Sequence, residues 1–209
     1  MPLPSSPQWL VWAREIQALC QTGLAFNREA YDVQRYRRMM EIAAEIVSAH
    51  TGLPAESLCE TFLRQPGYAT PKIDVRGAVV RERSILLVQE KVDGRWCMPG
   101  GWADVGDLPS AMVAREALEE SGMMVKPVKV IGVYDANRGG GELEFYHAFK
   151  IIFLCDILGG TLRPSDETLD ARFFPFDAIP ELSSPRTDQR HLTEVLAHLD
   201  DPARSAAFD

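Results

Sequence analysis

Residues 100–123, GGWADVGDLPSAMVAREALEESGM, set the fold and point to the chemistry. Within them Arg115, Glu116, Glu119, Glu120 and Gly122 form R-E-x-x-E-E-x-G, with Gly101 fourteen positions before Arg115. The spacing predicts a helix whose three glutamates stand at i, i+3 and i+4, and residues so spaced share one face. At about 100° per residue, Glu120 falls near 40° and Glu119 near −60° from Glu116. Arg115 falls at about −100° on the same wheel, beside Glu119, where it is expected to neutralise and orient that carboxylate. Ala111, Ala114 and Leu118 fall opposite and are expected to face a sheet. Pro109 or Ser110 starts the helix, and Gly122 ends it. Three like charges on one face repel, and folding alone does not call for them. A divalent cation reverses the sign of that argument, because Mg2+ takes carboxylate oxygens and bridges to substrate phosphates.

On these residues the chain resembles the Nudix hydrolase family, whose box is G-x5-E-x7-R-E-U-x-E-E-x-G-U with U aliphatic. The match is Gly101, Arg115, Glu116, Ala117, Glu119, Glu120, Gly122 and Met123. The first glutamate of the box is Asp107 here, which keeps the charge on a side chain one methylene shorter. IDVRGAVV (73–80) followed by SILLVQEK (84–91) resembles the first hairpin of such a domain, and GGTLRPSDETLDARFFPFDAIPELS resembles its closing segment. The helical N-terminal segment is similar to that of a subgroup associated with CDP-choline and ADP-ribose hydrolysis. The resemblance implies an α/β/α sandwich around a mixed sheet, an α/β fold with a small all-α N-terminal domain. It implies hydrolysis of a nucleoside diphosphate derivative with Mg2+ or Mn2+. Carried over, Glu116, Glu119, Glu120 and the Gly101 carbonyl are metal ligands, and Glu167 stands where the family places a residue for metal binding or water activation.

The chain has 209 residues, 46% of them hydrophobic, enough for a sizeable core. A net charge of −8 disfavours bulk nucleic-acid binding. Arg35, Arg37 and Arg38 are followed on the same helix by Glu41 and Glu45, so a DNA-binding helix is disfavoured as well. Cysteines at 20, 59, 97 and 155 form no C-x-x-C pair and read as reduced thiols rather than a zinc site. The opening MPLPSSPQWL lacks the pattern of a secretion signal, and the apolar run IIFLC is far too short to span a bilayer. The expectation is a cytoplasmic protein without membrane contact.

Residues 1–68 read as a helical domain, and 69–209 as the catalytic domain. Trp9, Trp12, Ile16 and Leu19 recur at helical spacing, with Gly23 as the expected stop. A second helix, capped by Asp32, runs to Gly52 through Val33, Tyr36, Met40, Ala43 and Val47. Met39, Ile42 and Ile46 add another stripe, more than one contact surface needs. A third helix covers Ala55 to Leu63. The surplus stripes argue for a homodimer through this domain, which also supports the substrate site. Strands are expected near 73–80, 84–90, 128–135, 145–156 and 171–175, and a last helix from Thr187 to Leu199.

The expected reaction is phosphoanhydride hydrolysis, in which divalent ions neutralise the diphosphate and ready a water for attack. Glu167 is the candidate for positioning or deprotonating that water, ahead of Glu142 and Glu144. Arg76, a charge inside an apolar strand that wants a partner, and Arg138 in the loop Asn137–Gly141 are candidates for phosphate contact. Trp102, Tyr134 and Tyr146 are candidates for stacking on a base. A choline-type cation would need an aromatic surface, for which Trp9, Trp12 or Tyr36 could serve across a dimer. CDP-choline or ADP-ribose comes first among substrates, then a nucleotide sugar or an oxidised nucleoside triphosphate. The alternative is a sensor with this fold and little turnover, against which the intact R-E-x-x-E-E stands.

Overall fold

The computed structural model describes residues 7–27, 29–64, 67, 70–104, 106–136 and 147–209. Arg138, Tyr146, Glu142, Glu144 and the loop Asn137–Gly141 lie outside the described residues. The chain divides into two compact units, one helical and one built on a sheet.

The helical unit holds α1 (Gln8–Phe26), α2 (Ala30–Thr51) and α3 (Ala55–Leu63). Its core is Cys20, Met40, Ala44 and Phe62, packed by Ile16, Leu24 and Tyr36. Gly23 does not stop α1, which continues to Phe26. A Cβ there would lie 2.5 Å from the Tyr36 ring, so the glycine lets α2 approach α1. Asp32 is not the cap of α2 but sits in its first turn, where it accepts from Asn27 and Arg35. Gly52 closes α2 in the left-handed conformation with φ 74°. Trp12, Leu19, Phe26, Tyr31, Met39 and Ile42 remain exposed on this unit.

The second unit is a mixed sheet of seven strands among the described residues. These are β1 (Lys72–Arg81), β2 (Ser84–Glu90), β3 (Trp96–Cys97), β4 (Met123–Asp135), β5 (Ala148–Gly160), β6 (Thr168–Pro175) and β7 (Ala207–Phe208). Their order is β3-β2-β1-β5-β4-β7, with β6 pairing β2. β1 runs parallel to β5 and antiparallel to β2, and β4 runs antiparallel to β5. Two pairings had no signal in the alternation: the two-residue β3 and β7.

Side chains alternate across the pleat. Val75, Val79, Leu86 and Val88 face α4 (Pro109–Ser121) through Met112, Val113 and Ala117. Ala78, Ile85, Leu87 and Ile152 face α5 (Gln189–Asp200) through Leu192 and Val195. A Cβ on Gly77 would lie 3.1 Å from Val113, so a small residue seats α4. The face of α4 expected against the sheet is corrected: Ala111 and Leu118 are exposed, and Met112, Val113, Ala117 and Glu120 are buried. Ala114 packs against the core as expected, but Met112, Val113 and Ala117 take the buried positions in place of Ala111 and Leu118, and that rotation carries one glutamate inward.

Gly122 ends α4 at φ 76°, and a Cβ there would lie 2.3 Å from the Thr161 carbonyl oxygen. Backbone cannot yield as a flexible side chain can. Gly122→Ala should therefore lower stability by about 2–3 kcal/mol, the left-handed penalty plus overpacking, in a urea melt. A loss below about 0.5 kcal/mol would contradict this tight junction.

Candidate active site

The segment after β3 runs along β1. Gly77 N–H donates to the Pro99 carbonyl at 2.8 Å, Val75 N–H to Gly101 at 2.9 Å, and Ala103 N–H to Ile73 at 2.9 Å. This pairing brings backbone so close that a Cβ on Gly100 (φ 142°) would lie 2.0 Å from the Val75 carbonyl oxygen. Only glycine fits. Gly100 N–H then donates to Glu120 Oε2 at 2.8 Å, and the position of a Cβ on Gly101 lies 3.8 Å from Glu116 Oε2. The strand segment and two carboxylates of α4 thus meet.

Glu120 is 6% exposed, and burial pushes its pKa up to about 8. Arg76 and the Gly100 amide pull it back, while the charges of Glu90 and Glu116 push it further. Glu116 is half-buried and raised in the same sense, by burial first; Arg115 opposes, and Glu119 and Glu167 add to the rise. Glu119 is exposed. Glu167 sits in an exposed turn where its N–H donates to Ser165 Oγ at 3.1 Å. A set of acidic charges therefore feels itself around α4.

Arg115 does not pair with Glu119 as expected. Its guanidinium clasps Asp107 at 2.9 and 3.2 Å and reaches Glu116 at 3.4 Å. That contact holds the Asp107 carboxyl below its usual pKa. Asp107 thereby ties the loop before α4 to the helix, and its shorter side chain suffices because arginine supplies the reach. Glu119 is left to solvent.

Among the described residues no three histidine, cysteine or acidic side chains converge tightly enough to grip a metal as they stand. Each of the two carboxylates is already engaged, Glu120 by Gly100 N–H and Glu116 by Arg115. The donor chemistry still fits a hard divalent cation. The oxygens are carboxylates desolvated against each other's charge, an arrangement that a cation relieves. The Gly101 carbonyl keeps a second lone pair beside its bond to Val75.

Arg76 is not displayed to a ligand. It is 5% exposed and donates to Asp74 at 2.9 and 3.4 Å and to the Met98 carbonyl at 3.2 Å. Tyr134 is also buried, edge-on to His191 at 5.0 Å, so it offers no open face to a base. Trp102 is 46% exposed and bridges to Asp74 beside Gly101. His147, expected within a strand, precedes β5. Trp9 stacks on His50 at 4.4 Å, and Tyr36 lies against Gly23.

Several polar and charged residues around the site escaped sequence reading. Lys150, 1% exposed, donates to the Pro185 and Arg186 carbonyls at 2.6 Å and lies 3.6 Å from Asp74. Thr187 accepts from Met98 N–H at 2.9 Å, fixing the entry to the glycine pair. Glu90 accepts from Cys97 Sγ at 3.0 Å and lies 3.4 Å from Arg186. Lys150 gave the same signal as Arg76, a lone charge in an apolar strand. Glu90 gave none, since a glutamate at a strand end is ordinary.

The model of the family described as a NUDIX domain matches residues 71–197, and one described as a UDP-X-like N-terminal oligomerisation domain matches residues 7–62. The chain is 37% identical over 202 residues to a Bacillus subtilis (strain 168) protein assigned as an ADP-ribose pyrophosphatase, covering 97% of each. It is 31% identical over 122 residues to an ADP-ribose pyrophosphatase of Methanocaldococcus jannaschii, covering 56% of this chain and 69% of that one. A crystal structure of a UDP-X diphosphatase overlays with a TM-score of 0.62 at 28% identity, covering 96% of this chain and 98% of that one. An ADP-ribose pyrophosphatase from Streptococcus suis 89-1591 overlays with a TM-score of 0.61 at 34% identity, covering 67% and 100%.

The buried carboxyl has a pH signature. Between the ordinary value of 4.5 and about 8, the folded protein keeps on Glu120 a proton that the unfolded chain has released. The contribution of Glu120 to the stability of the metal-free protein should therefore be greatest below that window and fall as pH rises through it. Glu120→Gln should flatten this fall. Urea melts in chelator from pH 5 to 9 check it; identical slopes in both proteins would contradict the burial.

Proposed function

Since the chain belongs to the Nudix hydrolase family and is a Nudix pyrophosphohydrolase, we propose that it splits ADP-ribose, with Mg2+ or Mn2+, into a nucleoside monophosphate and a phosphorylated remainder. The observation that carries this is the meeting of Glu116 and Glu120 with Gly100 and Gly101, where desolvated like charges need a cation. ADP-ribose takes precedence over CDP-choline because the full-length relative and the Methanocaldococcus enzyme both carry its name. A UDP-linked compound is the second reading, favoured by the full-length structural neighbour.

Glu116, Glu119, Glu120 and the Gly101 carbonyl would hold the cation, with Arg115, itself clasped by Asp107, bracing Glu116. When bound, the cation supplies positive charge against the diphosphate and a lowered pKa for the attacking water. Glu120 accepts from Gly100 N–H and so keeps its headgroup at the glycine pair. Glu167, whose charge adds to the rise at Glu116, is the candidate to orient or deprotonate the water. Trp102 offers an exposed aromatic face beside Gly101 for a base. Arg138 and Tyr146 complete the proposed substrate contacts. Asp74, Arg76 and Lys150 serve underneath, as a buried ionic floor.

The exposed apolar residues of the helical unit support a homodimer. Leu19, 60% exposed on α1, is a sharp probe. Leu19→Asp should shift the protein from dimer to monomer by light scattering at micromolar concentration, with helical content kept. A wild-type monomer, or a variant that stays dimeric, would contradict it.

Glu119→Gln and Glu120→Gln should each lower metal-dependent turnover at least about 100-fold while the fold is kept. A panel of ADP-ribose, UDP-linked compounds and CDP-choline, run with each metal and resolved by chromatography, checks activity and substrate together. Unchanged hydrolysis in both variants removes the metal site, and preference for a UDP-linked compound removes ADP-ribose.

A further inference from the structure

We propose that Thr168 is a positioning residue, whose hydroxyl locks the turn carrying Glu167 onto the C-terminal end of α4. The inference rests on the reading of Glu167 given above.

Thr168 opens β6 and is 1% exposed. Its Oγ1 donates to the Glu120 carbonyl at 2.9 Å, one of the carbonyls a helix end leaves without a partner. The same oxygen accepts from Ser165 N–H at 3.1 Å and lies 3.1 Å from Ser165 Oγ. Ser165 Oγ in turn accepts from the N–H of Glu167 and of Thr168, both at 3.1 Å. The chain of contacts is continuous: Glu120 carbonyl, Thr168 hydroxyl, Ser165 hydroxyl, Glu167 amide. A second tie, Arg163 N–H to the Ser121 carbonyl at 3.0 Å, holds the start of the same connection.

Glu120 is thereby shared. Its carboxyl receives Gly100 N–H at 2.8 Å and its carbonyl receives Thr168, so one residue indexes both the glycine pair and the Glu167 turn. Glu167 itself is exposed, and among the described residues no hydrogen bond holds its side chain. An exposed carboxylate on a free turn would sample many positions. Fixing the turn by its backbone reduces that freedom without using the carboxylate, which stays available for water. A plain helix cap would need only the Thr168–Glu120 contact; the Ser165 relay to the Glu167 amide is the part that capping leaves unexplained.

The test uses Thr168→Val, Thr168→Ser and Ser165→Ala in the full chain, alone and with Glu167→Gln. Thr168→Val is nearly isosteric; should it fail to fold, Ser165→Ala carries the test, because it leaves the cap on Glu120 intact. Both Thr168→Val and Ser165→Ala should lower kcat about ten- to hundredfold with KM within about twofold, as a misplaced group does. Thr168→Ser keeps the hydroxyl and should rescue kcat. In the Glu167→Gln background neither change should lower kcat further, since a shared role is not additive. An equal loss in that background, or unchanged kcat with a lowered melting temperature, overturns the proposal. Amide exchange provides a readout independent of turnover. The Glu167 amide should exchange at least about tenfold faster in Thr168→Val while β2 amides keep their protection. Unchanged exchange overturns the proposal even if wild type hydrolyses nothing; absence of all hydrolysis with accelerated exchange overturns the proposed substrate reading alone.

Discussion

The structure depends on packing a carboxylate-bearing helix against backbone with no side chain between them. Gly100 accepts a conformation and a closeness that only glycine tolerates, and its amide then meets Glu120. Because α4 is held to the sheet by Met112, Val113 and Ala117, the rotation of the helix is not free, and Glu120 is carried into a low-dielectric site with it. Burying an ionised carboxylate beside Glu116 and Glu90 is unfavourable in itself. The apolar packing of α4 imposes that strain, and the proposed divalent cation at the same place would relieve it.

The far face of the sheet answers with opposite charge. Arg76 and Lys150 are both almost fully buried, each within reach of Asp74, and Arg76 lies close enough to Glu120 to oppose its rise in pKa. Buried ion pairs add little net stability but are strongly specific, since removing one partner strands the other. Here they fix geometry: Lys150 gathers the Pro185 and Arg186 carbonyls, Thr187 receives Met98 N–H, and Met98 leads into Pro99 and the glycine pair. α5 begins directly after this loop with Asp188 as its cap, so the helix on one face steadies the glycines used on the other.

Much of this was legible in the sequence. The hydrophobic alternation located β1 and β2, the R-E-x-x-E-E-x-G spacing located α4, and Gly122 ended it, because each signal is local and has one physical meaning. The errors share a cause as well. The helical wheel set Glu116, Glu119 and Glu120 on one face, opposite the packing side, but tertiary packing rotated α4 until Glu120 was buried. Arg115 chose Asp107 over Glu119 because the loop before the helix, invisible to a wheel, brings that carboxyl closer. Gly23 read as a stop because glycine usually is one, whereas here an aromatic ring from α2 occupies the space. Arg76 was noticed for the right reason, an uncompensated charge in an apolar strand. Its partner, Asp74, sits two residues away on the same face of β1, and the pairing turned the arginine inward rather than toward a substrate.

The central claim is that a divalent cation belongs at the junction of α4 and the glycine pair. Anomalous diffraction from crystals soaked in Mn2+ tests it most directly. The account predicts a peak about 2.0–2.2 Å from oxygens of Glu116 and Glu120. With Mn2+ in excess, an empty junction, or peaks confined to other surfaces, would contradict it.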